Sequence, residues 1–240
     1  MKTYRKTAVM VGILFIIGTV AGVLSGVVTA PIRTASTFPF NVAASGPQWI
    51  TGTLFVMLMG VSLAMVPVLL YPVFRERNQV LASGAVLFRG AIEAISYAIM
   101  AISMLLALTI SEANAAPGAD AALLQPLESV RAACVSWTEI WGAIIFGIGG
   151  LMIYVLFYQT RLVPRWLSGW ALVGGVLYIV ANIAALYSPL HKAPDIGVGI
   201  GLLLVPTALQ EMVFAVWLIV KGFSRAALAS LSTKTATYES

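Results

Sequence analysis

The amino-acid sequence predicts an all-α protein: a single bundle of six transmembrane helices with the N-terminus and the C-terminus in the cytoplasm. Hydrophobic residues make up 60% of the 240 residues and charged residues only 10%, against about 45–50% and about 25% in soluble domains. Six apolar runs reach the length of about 20 residues that a helix needs to cross a bilayer. Lysine and arginine are concentrated in alternate connections between these runs. The first two observations predict the helices, and the third orients them.

The first apolar run covers residues 8–30 and is predicted to be a retained membrane anchor. Its last residues, Val28, Thr29 and Ala30, also resemble the cleavage site of a signal peptide. The run is longer than the roughly 7–15 residues of a signal-peptide core, and Pro31 follows it directly, so the anchor is the favoured interpretation.

Three glycines of this run, Gly18, Gly22 and Gly26, recur every four residues. They leave one face of the helix without side chains, so that a neighbouring helix can approach closely. We expect this face to pack a helix, either of the same chain or of a partner subunit in an oligomer.

The remaining apolar runs follow in order along the chain, separated by connections rich in proline, glycine or charge. The longest and most polar connection spans residues 111–131, within which residues 121–131 are predicted to form a separate interfacial helix. Residues 1–223 are thus predicted to be one transmembrane domain, and residues 224–240 a flexible cytoplasmic tail. The five further spans are 50–73, 81–110, 133–158, 167–187 and 196–220.

The basic residues predict which side of the membrane each connection occupies. One side carries ten of the 14 lysines and arginines, the other carries three, and Arg89 lies within a run. Because the connections are short, the positive-inside rule places the ten-residue side in the cytoplasm. This topology also accounts for the net charge of +5, so no nucleic-acid partner is expected. The ten are Lys2, Arg5, Lys6, Arg75, Arg77, Arg161, Arg165, Lys221, Arg225 and Lys234, and the three are Arg33, Arg131 and Lys192.

Four ionisable residues lie inside the predicted helices: Arg89, Glu93, Glu139 and Glu211. A charged side chain at the membrane centre costs at least about 2.5 kcal/mol, so these residues are expected to face the bundle interior. At a rise of about 1.5 Å per residue, the first two and Glu211 lie about 12, 18 and 15 Å from the cytoplasmic edge. Glu139 lies about 9 Å from the outer edge, near enough to water to need no partner.

The midplane charges form a candidate site with two neighbours. Arg89 and Glu93 are four residues apart and share a helix face, which Tyr97 continues. A proline in the sixth run weakens that helix one turn before Gln210 and Glu211, as happens where a helix lines a cavity. Helices three and six are therefore predicted to face each other through the arginine, the two glutamates and Gln210.

Two interpretations of this cluster stay open. It is either a structural ion-pair network that fixes helix packing, or a polar pocket for a ligand, an ion or a proton, with Glu139 as a secondary candidate. One arginine cannot neutralise two carboxylates, so one of them is expected to bind a proton, a cation or a third partner.

The sequence lacks the patterns of common catalytic and metal sites. The single histidine, His191, falls in a predicted outer loop and is expected to be solvated, and Cys134 has no second cysteine to pair with. No HExxH, CxxC, GxSxG or P-loop pattern is present. We therefore expect no catalytic residue, no metal and no cofactor, and an enzyme is the least supported class.

Several stretches of the chain resemble the DUF4386 family of bacterial membrane proteins. The resemblance runs from Arg5 to about Phe223 and implies a multi-spanning protein of the bacterial cytoplasmic (inner) membrane, without implying an activity. It is carried by LYPVF at residues 70–74, GAVLFRGAIEAISY at residues 84–97, YVLFYQTRLVPRWLSGWALVG at residues 154–174 and PTALQEMVFAVWLIVKGF at residues 206–223.

The favoured function is binding or transport of a small molecule, a lipid or an ion through the midplane cluster, with the lipid bilayer as its surroundings. The alternative is a non-catalytic interaction or regulatory subunit in which the buried charges are structural. Its partner would dock on the glycine face of helix one.

Overall fold

The structure is a computed structural model that describes residues 2–187 and 194–230. Every regular element in these ranges is a helix, which confirms the all-α class. A further stretch, 225–230, is also helical and buries Ala227, whereas the sequence predicts a flexible tail from residue 224. His191 and residues 231–240 lie outside the described residues. The main elements are α1 (Lys2–Arg33), a short 3₁₀ helix (Val42–Ser45), α2 (Gly46–Phe74), α3 (Gln79–Ala115), α4 (Ala121–Thr160), α5 (Arg165–Tyr187) and α6 (Pro194–Val220).

Five of these helices, α1 to α5, are long and apolar enough to cross a membrane. The chain is therefore a multi-spanning membrane protein. The apolar part of α6 whose side chains are described, Pro206–Val220, is shorter. The sixth crossing and the cytoplasmic position of both chain ends stay predictions.

The helices form a closed ring. Each helix packs along the next one in the chain, and α6 returns to pack along α1. Arg5 connects the first helix with the last one. Its guanidinium donates to the carbonyl oxygens of Leu218, Ile219 and Val220 at 2.7–3.3 Å. These carbonyls at the end of α6 have no partner within the helix, and a cation there also complements the helix dipole. The start of α1 and the end of α6 consequently lie at the same end of the bundle.

In α2, which is apolar on all sides, one face packs inside the bundle. Eight of its buried positions recur at alternating intervals of four and three residues, the spacing of one stripe along a helix that packs at a shallow angle, and Gly52, Ser62, Val66 and Val73 are buried beside the stripe. Small residues such as Gly60 occur on the stripe and let the neighbouring helix approach: a Cβ there would lie 2.8 Å from Cβ of Tyr97 on α3. The stripe consists of Trp49, Thr53, Val56, Gly60, Leu63, Pro67, Leu70 and Phe74.

α4 differs from its sequence prediction. The helix is continuous from Ala121, whereas the sequence predicts a separate interfacial helix over 121–131 and a membrane span from residue 133. Asp120 caps the helix by accepting from the backbone N–H of Ala122 at 2.9 Å. Glu128 and Arg131 pair with each other, and Arg131 also donates to the carbonyl oxygen of Ser103 at 3.3 Å. These contacts satisfy the polar residues that look like a break in the sequence.

One end of the ring is filled by aromatic side chains. We call it the basic end, because Arg5, Arg75, Arg161 and Lys221 lie where the helices start or finish there. Phe214 of α6 is fully buried, and its ring meets three others edge-on at centroid distances of 4.9–5.8 Å. The partners are Phe15, Tyr154 and Phe157. This aromatic plug closes the interior of the ring towards the basic end.

Candidate functional site

The site is built around a change of helix type in α3. Residues Val86–Ile92 form a π-helical segment between two α-helical parts, Gln79–Ala85 and Glu93–Ala115. Such wider turns are rare and occur frequently at functional sites. The segment contains Arg89, whose side chain is 2% exposed and points into the ring.

Arg89 bridges two helices that do not pack along each other. Its Nη1 donates to Oε1 of Glu93 on α3 at 2.5 Å, and its Nη2 donates to Oε1 of Glu211 on α6 at 3.0 Å. The guanidinium carbon also lies 4.0 Å from the centroid of the Phe146 ring on α4. Charge-assisted hydrogen bonds and a cation–π contact are both stronger away from water. Arg89 therefore ties α3, α4 and α6 together at one level.

Glu93 is left with an unused acceptor. Its Oε1 accepts from Arg89 and from the hydroxyl of Tyr97 at 3.1 Å. Its Oε2 is buried and has no hydrogen-bond partner among the described residues. Because buried polar atoms are rarely left unpaired, this oxygen calls for a donor that the protein itself does not supply.

The position of Arg89 depends on a glycine of α4. A Cβ added to Gly149 would lie 2.6 Å from the backbone nitrogen of Arg89 and 2.9 Å from its Cα. Only glycine leaves room for this approach of α4 to the π-helical segment. A Cβ added to Gly142, two turns along α4, would lie 3.3 Å from Cβ of Ser96. The two contacts fix the antiparallel register of α3 and α4.

A cavity of about 620 Å³ opens beside this network. All six helices contribute to its wall, with Gly18 and Gly22 from α1 and Met59 and Leu63 from α2. The polar part of the wall contains three glutamates from three different helices. The polar lining consists of Thr19 from α1, Glu93, Ser96 and Tyr97 from α3, Thr138 and Glu139 from α4, Tyr178 and Asn182 from α5, and Thr207 and Glu211 from α6.

The structure brings four of the predicted site residues together with Glu139 but separates one. Arg89, Glu93, Tyr97 and Glu211 form the connected network described above. Gln210 is buried beside the hydroxyl of Tyr154, outside normal hydrogen-bond geometry, and does not line the cavity. Gln210 and Glu211 are adjacent on α6 and point about 100° apart, and only Glu211 of the two lines the cavity.

Glu139 lines the same cavity and is exposed, whereas the other two glutamates are buried, which indicates that it lies at the open side of the cavity. The register of α3 and α4 places it opposite residue 99, which is about 9 Å along the helix axis from Glu93. Arg33 at the end of α1 is near enough to attract it. The sequence names Glu139 as a secondary candidate for the pocket, and in the structure it lines the same cavity as Glu93 and Glu211.

The glycine face of α1 is used largely within the chain. A Cβ on Gly18 would meet the side chain of Leu63 at 2.7 Å, and one on Gly22 would meet the sulfur of Met59 at 2.7 Å. Gly26 has no such neighbour within 4 Å. α2 therefore occupies the part of this face that a partner subunit was expected to use.

Sequence reasoning missed Phe146, Tyr178 and Asn182. Asn182 could have been found as a polar residue inside an apolar run. It donates from its side chain to the carbonyl oxygen of Tyr178 at 2.9 Å. Phe146 gives no such signal, because an aromatic residue in an apolar helix is expected on any face.

These observations define a multi-spanning α-helical membrane protein with a buried charge network beside an internal acidic cavity. The chain belongs to the DUF4386 family, described as a domain of unknown function, whose model matches residues 10–222. No curated protein and no solved structure matches the chain. The family assignment confirms the resemblance read from the sequence.

Proposed function

We propose that this protein binds a small ligand in its internal cavity, with Glu93 and Glu211 contacting the ligand. The observation that carries the proposal is a cavity of about 620 Å³ with Glu93 and Glu211 in its wall, where Oε2 of Glu93 is buried and has no partner among the described residues. Ligand pockets are typically about 300–1,000 Å³, mostly apolar and furnished with a few convergent polar groups. This cavity lies within that range of volume, and its lining combines apolar residues with a few polar groups.

Arg89 has a different role in this proposal. Both ends of its guanidinium are bonded to glutamates, its face covers Phe146, and it does not line the cavity. It is a positioning residue that holds the two carboxylates in place. The structural role of Arg89 also favours the alternative function, a regulatory subunit whose buried charges are structural. That alternative gives no use to the free oxygen of Glu93.

We place the protein in the bacterial cytoplasmic membrane, with six crossings and both chain ends in the cytoplasm. The support is the presence of ten basic residues in the connections on one side against three on the other. The cavity would then lie in the outer half of the bilayer, and the aromatic plug would separate it from the cytoplasm. Transport would require this plug to open, so binding is the more economical function.

The proposal is tested by filling the cavity from one side of α6. Ala208 lines the cavity, whereas its neighbour Leu209 is 55% exposed on the outer face of the helix. Ala208→Trp is expected to fill the cavity, and Leu209→Trp places the same side chain in lipid. The pair differs by one position, so it serves as a matched control.

The measurement is thermal stabilisation of the purified protein in detergent by phenylbutylamine, phenylbutanol and phenylbutyrate. At least one of these probes should raise the Tm of the wild type and of Leu209→Trp, because ligands that bind only the folded state stabilise it. Ala208→Trp should abolish the shift. The proposal is wrong if none of the three probes stabilises the wild type, or if Ala208→Trp responds as Leu209→Trp does.

A further inference from the structure

The charges that face the cavity have one sign. Three carboxylates, those of Glu93, Glu139 and Glu211, lie in its wall, and no lysine or arginine does so among the described residues. Arg89 stands behind Glu93 and Glu211 and compensates one of the two. Arg33 attracts Glu139 from outside the lining. The deep part of the cavity therefore has an excess of one negative charge when both of its carboxyls are ionised.

The deep carboxylates are short of donors. Glu93 has a side chain only 3% exposed, with its Oε2 unpartnered among the described residues. Glu211 is 11% exposed and receives one hydrogen bond, from Arg89. A carboxylate can accept about four hydrogen bonds. A ligand with a charged N–H group would supply both the missing donors and the missing positive charge.

The rest of the wall is suited to an apolar body. Tyr97, Phe146 and Tyr178 contribute aromatic rings, and Met59 and Met100 contribute flexible thioethers. Aromatic rings attract cations through their faces, and methionine adapts to the shape of its neighbours. A hard metal ion is disfavoured, because it needs about six oxygen ligands and the cavity offers carboxylates at two separate levels.

We propose that the ligand is a monovalent organic cation, an amine or ammonium compound with an apolar body, whose charged group contacts Glu93 and Glu211 from the cavity. This inference rests on the proposed function and adds the chemical class of the ligand. Glu139, at the open side, attracts the cation as it enters. The apolar body extends along the aromatic and methionine side chains.

The test compares probes that share one apolar body and differ in charge. Phenylbutylamine is a cation at neutral pH, phenylbutanol is neutral, and phenylbutyrate is an anion. Calorimetric titration of the full-length protein in detergent should give an affinity for the amine at least about tenfold above that for the alcohol, as expected for hydrogen bonds to charged groups. The anion should bind more weakly than the alcohol.

Matched variants locate the charge effect. Glu211→Gln keeps the shape of the side chain and should weaken amine binding at least about tenfold, with alcohol binding changed less than about twofold. Glu112→Gln makes the same chemical change at an exposed position of α3 outside the cavity and should change neither affinity. If Glu211→Gln fails to fold, Glu139→Gln at the open side replaces it. A selective loss of amine affinity is again expected, smaller because this residue is more exposed.

Two failures can be told apart. If the alcohol binds as tightly as the amine, or if the glutamate variants leave amine affinity unchanged, the cation class is wrong while binding in the cavity stands. That result would mean that a proton balances the extra carboxylate. If no probe binds the wild type, both this inference and the proposed function are overturned.

Discussion

Replacing Arg89 by leucine tests whether the charge network holds the ring together. The change removes the hydrogen bonds of 2.5 and 3.0 Å to Glu93 and Glu211 together with the contact to Phe146. Glu93 then retains only the bond from Tyr97, and two buried carboxylates lose their counter-charge. Removing one partner of a buried ion pair typically costs about 3–5 kcal/mol. We expect Arg89→Leu to lower the free energy of unfolding by that amount.

The control is the same substitution in an exposed ion pair. Arg75 contacts Glu76 at 3.3 Å with a side chain that is 56% exposed, and exposed pairs contribute only about 0–1 kcal/mol. Unfolding would be followed by tryptophan fluorescence in mixed detergent micelles. If Arg89→Leu costs no more than Arg75→Leu, the network does not stabilise the bundle and the reasoning is refuted.

A second comparison distinguishes two contributions to the free energy of unfolding: the penalty for leaving carboxylates unpaired, and the stabilisation that the intact network provides. Arg89→Leu combined with Glu93→Leu and Glu211→Leu removes all three charges, so no buried charge is left unpaired. Apolar replacements of buried ion pairs are often neutral or stabilising. The triple variant should therefore recover most of the stability lost in Arg89→Leu while losing amine binding. A triple variant as unstable as Arg89→Leu would contradict this explanation.

Two further predictions concern helix packing. Gly149→Ala should lower the free energy of unfolding by about 1–3 kcal/mol, since the added Cβ would overlap the backbone of Arg89. Gly169→Ala is the control, because nothing lies within 4 Å of an added Cβ there, and it should cost less than about 0.5 kcal/mol. Trp49→Phe should cost about 1 kcal/mol, because the indole N–H donates to the buried carbonyl oxygen of Met104 at 2.7 Å. Both are measured by unfolding in mixed micelles, and equal losses in the two glycine variants, or an unchanged Trp49→Phe, would contradict the packing described here.

The helices could be predicted from the sequence because crossing a membrane demands long apolar runs. The residues at which the helices begin and end could not be predicted where polar side chains pair with each other within a helix. Gln125, Glu128 and Arg131 interrupt hydropathy at the start of α4, yet the last two pair within the helix, and the helix continues through them. A sequence pattern shows the polar residues but not their pairing.

Part of the site could also be predicted. Charges inside apolar runs must find partners, so the pairing of Arg89 with Glu93 follows from spacing, and the link to Glu211 follows from depth. The inward faces could not be predicted in the same way, since both lipid and protein accept apolar side chains. Phe146 thus has no distinguishing signal, and neither does the separation of Gln210 from Glu211.

The π-helical segment at Val86–Ile92 is a further feature that could not be predicted from the sequence. It lies where α4 approaches the backbone of Arg89 at Gly149, a contact between two helices. The cavity likewise depends on how six helices close into a ring. Such properties arise from the relative positions of helices and are not encoded in one helix alone.

The most direct test of the central claim is an experimental structure of the protein in lipid with phenylbutylamine. It should show Arg89 between Glu93 and Glu211 and the amine in the adjoining cavity, with its nitrogen within hydrogen-bond distance of Oε2 of Glu93. A cavity filled by the protein's own side chains, or an amine bound elsewhere, would contradict the account.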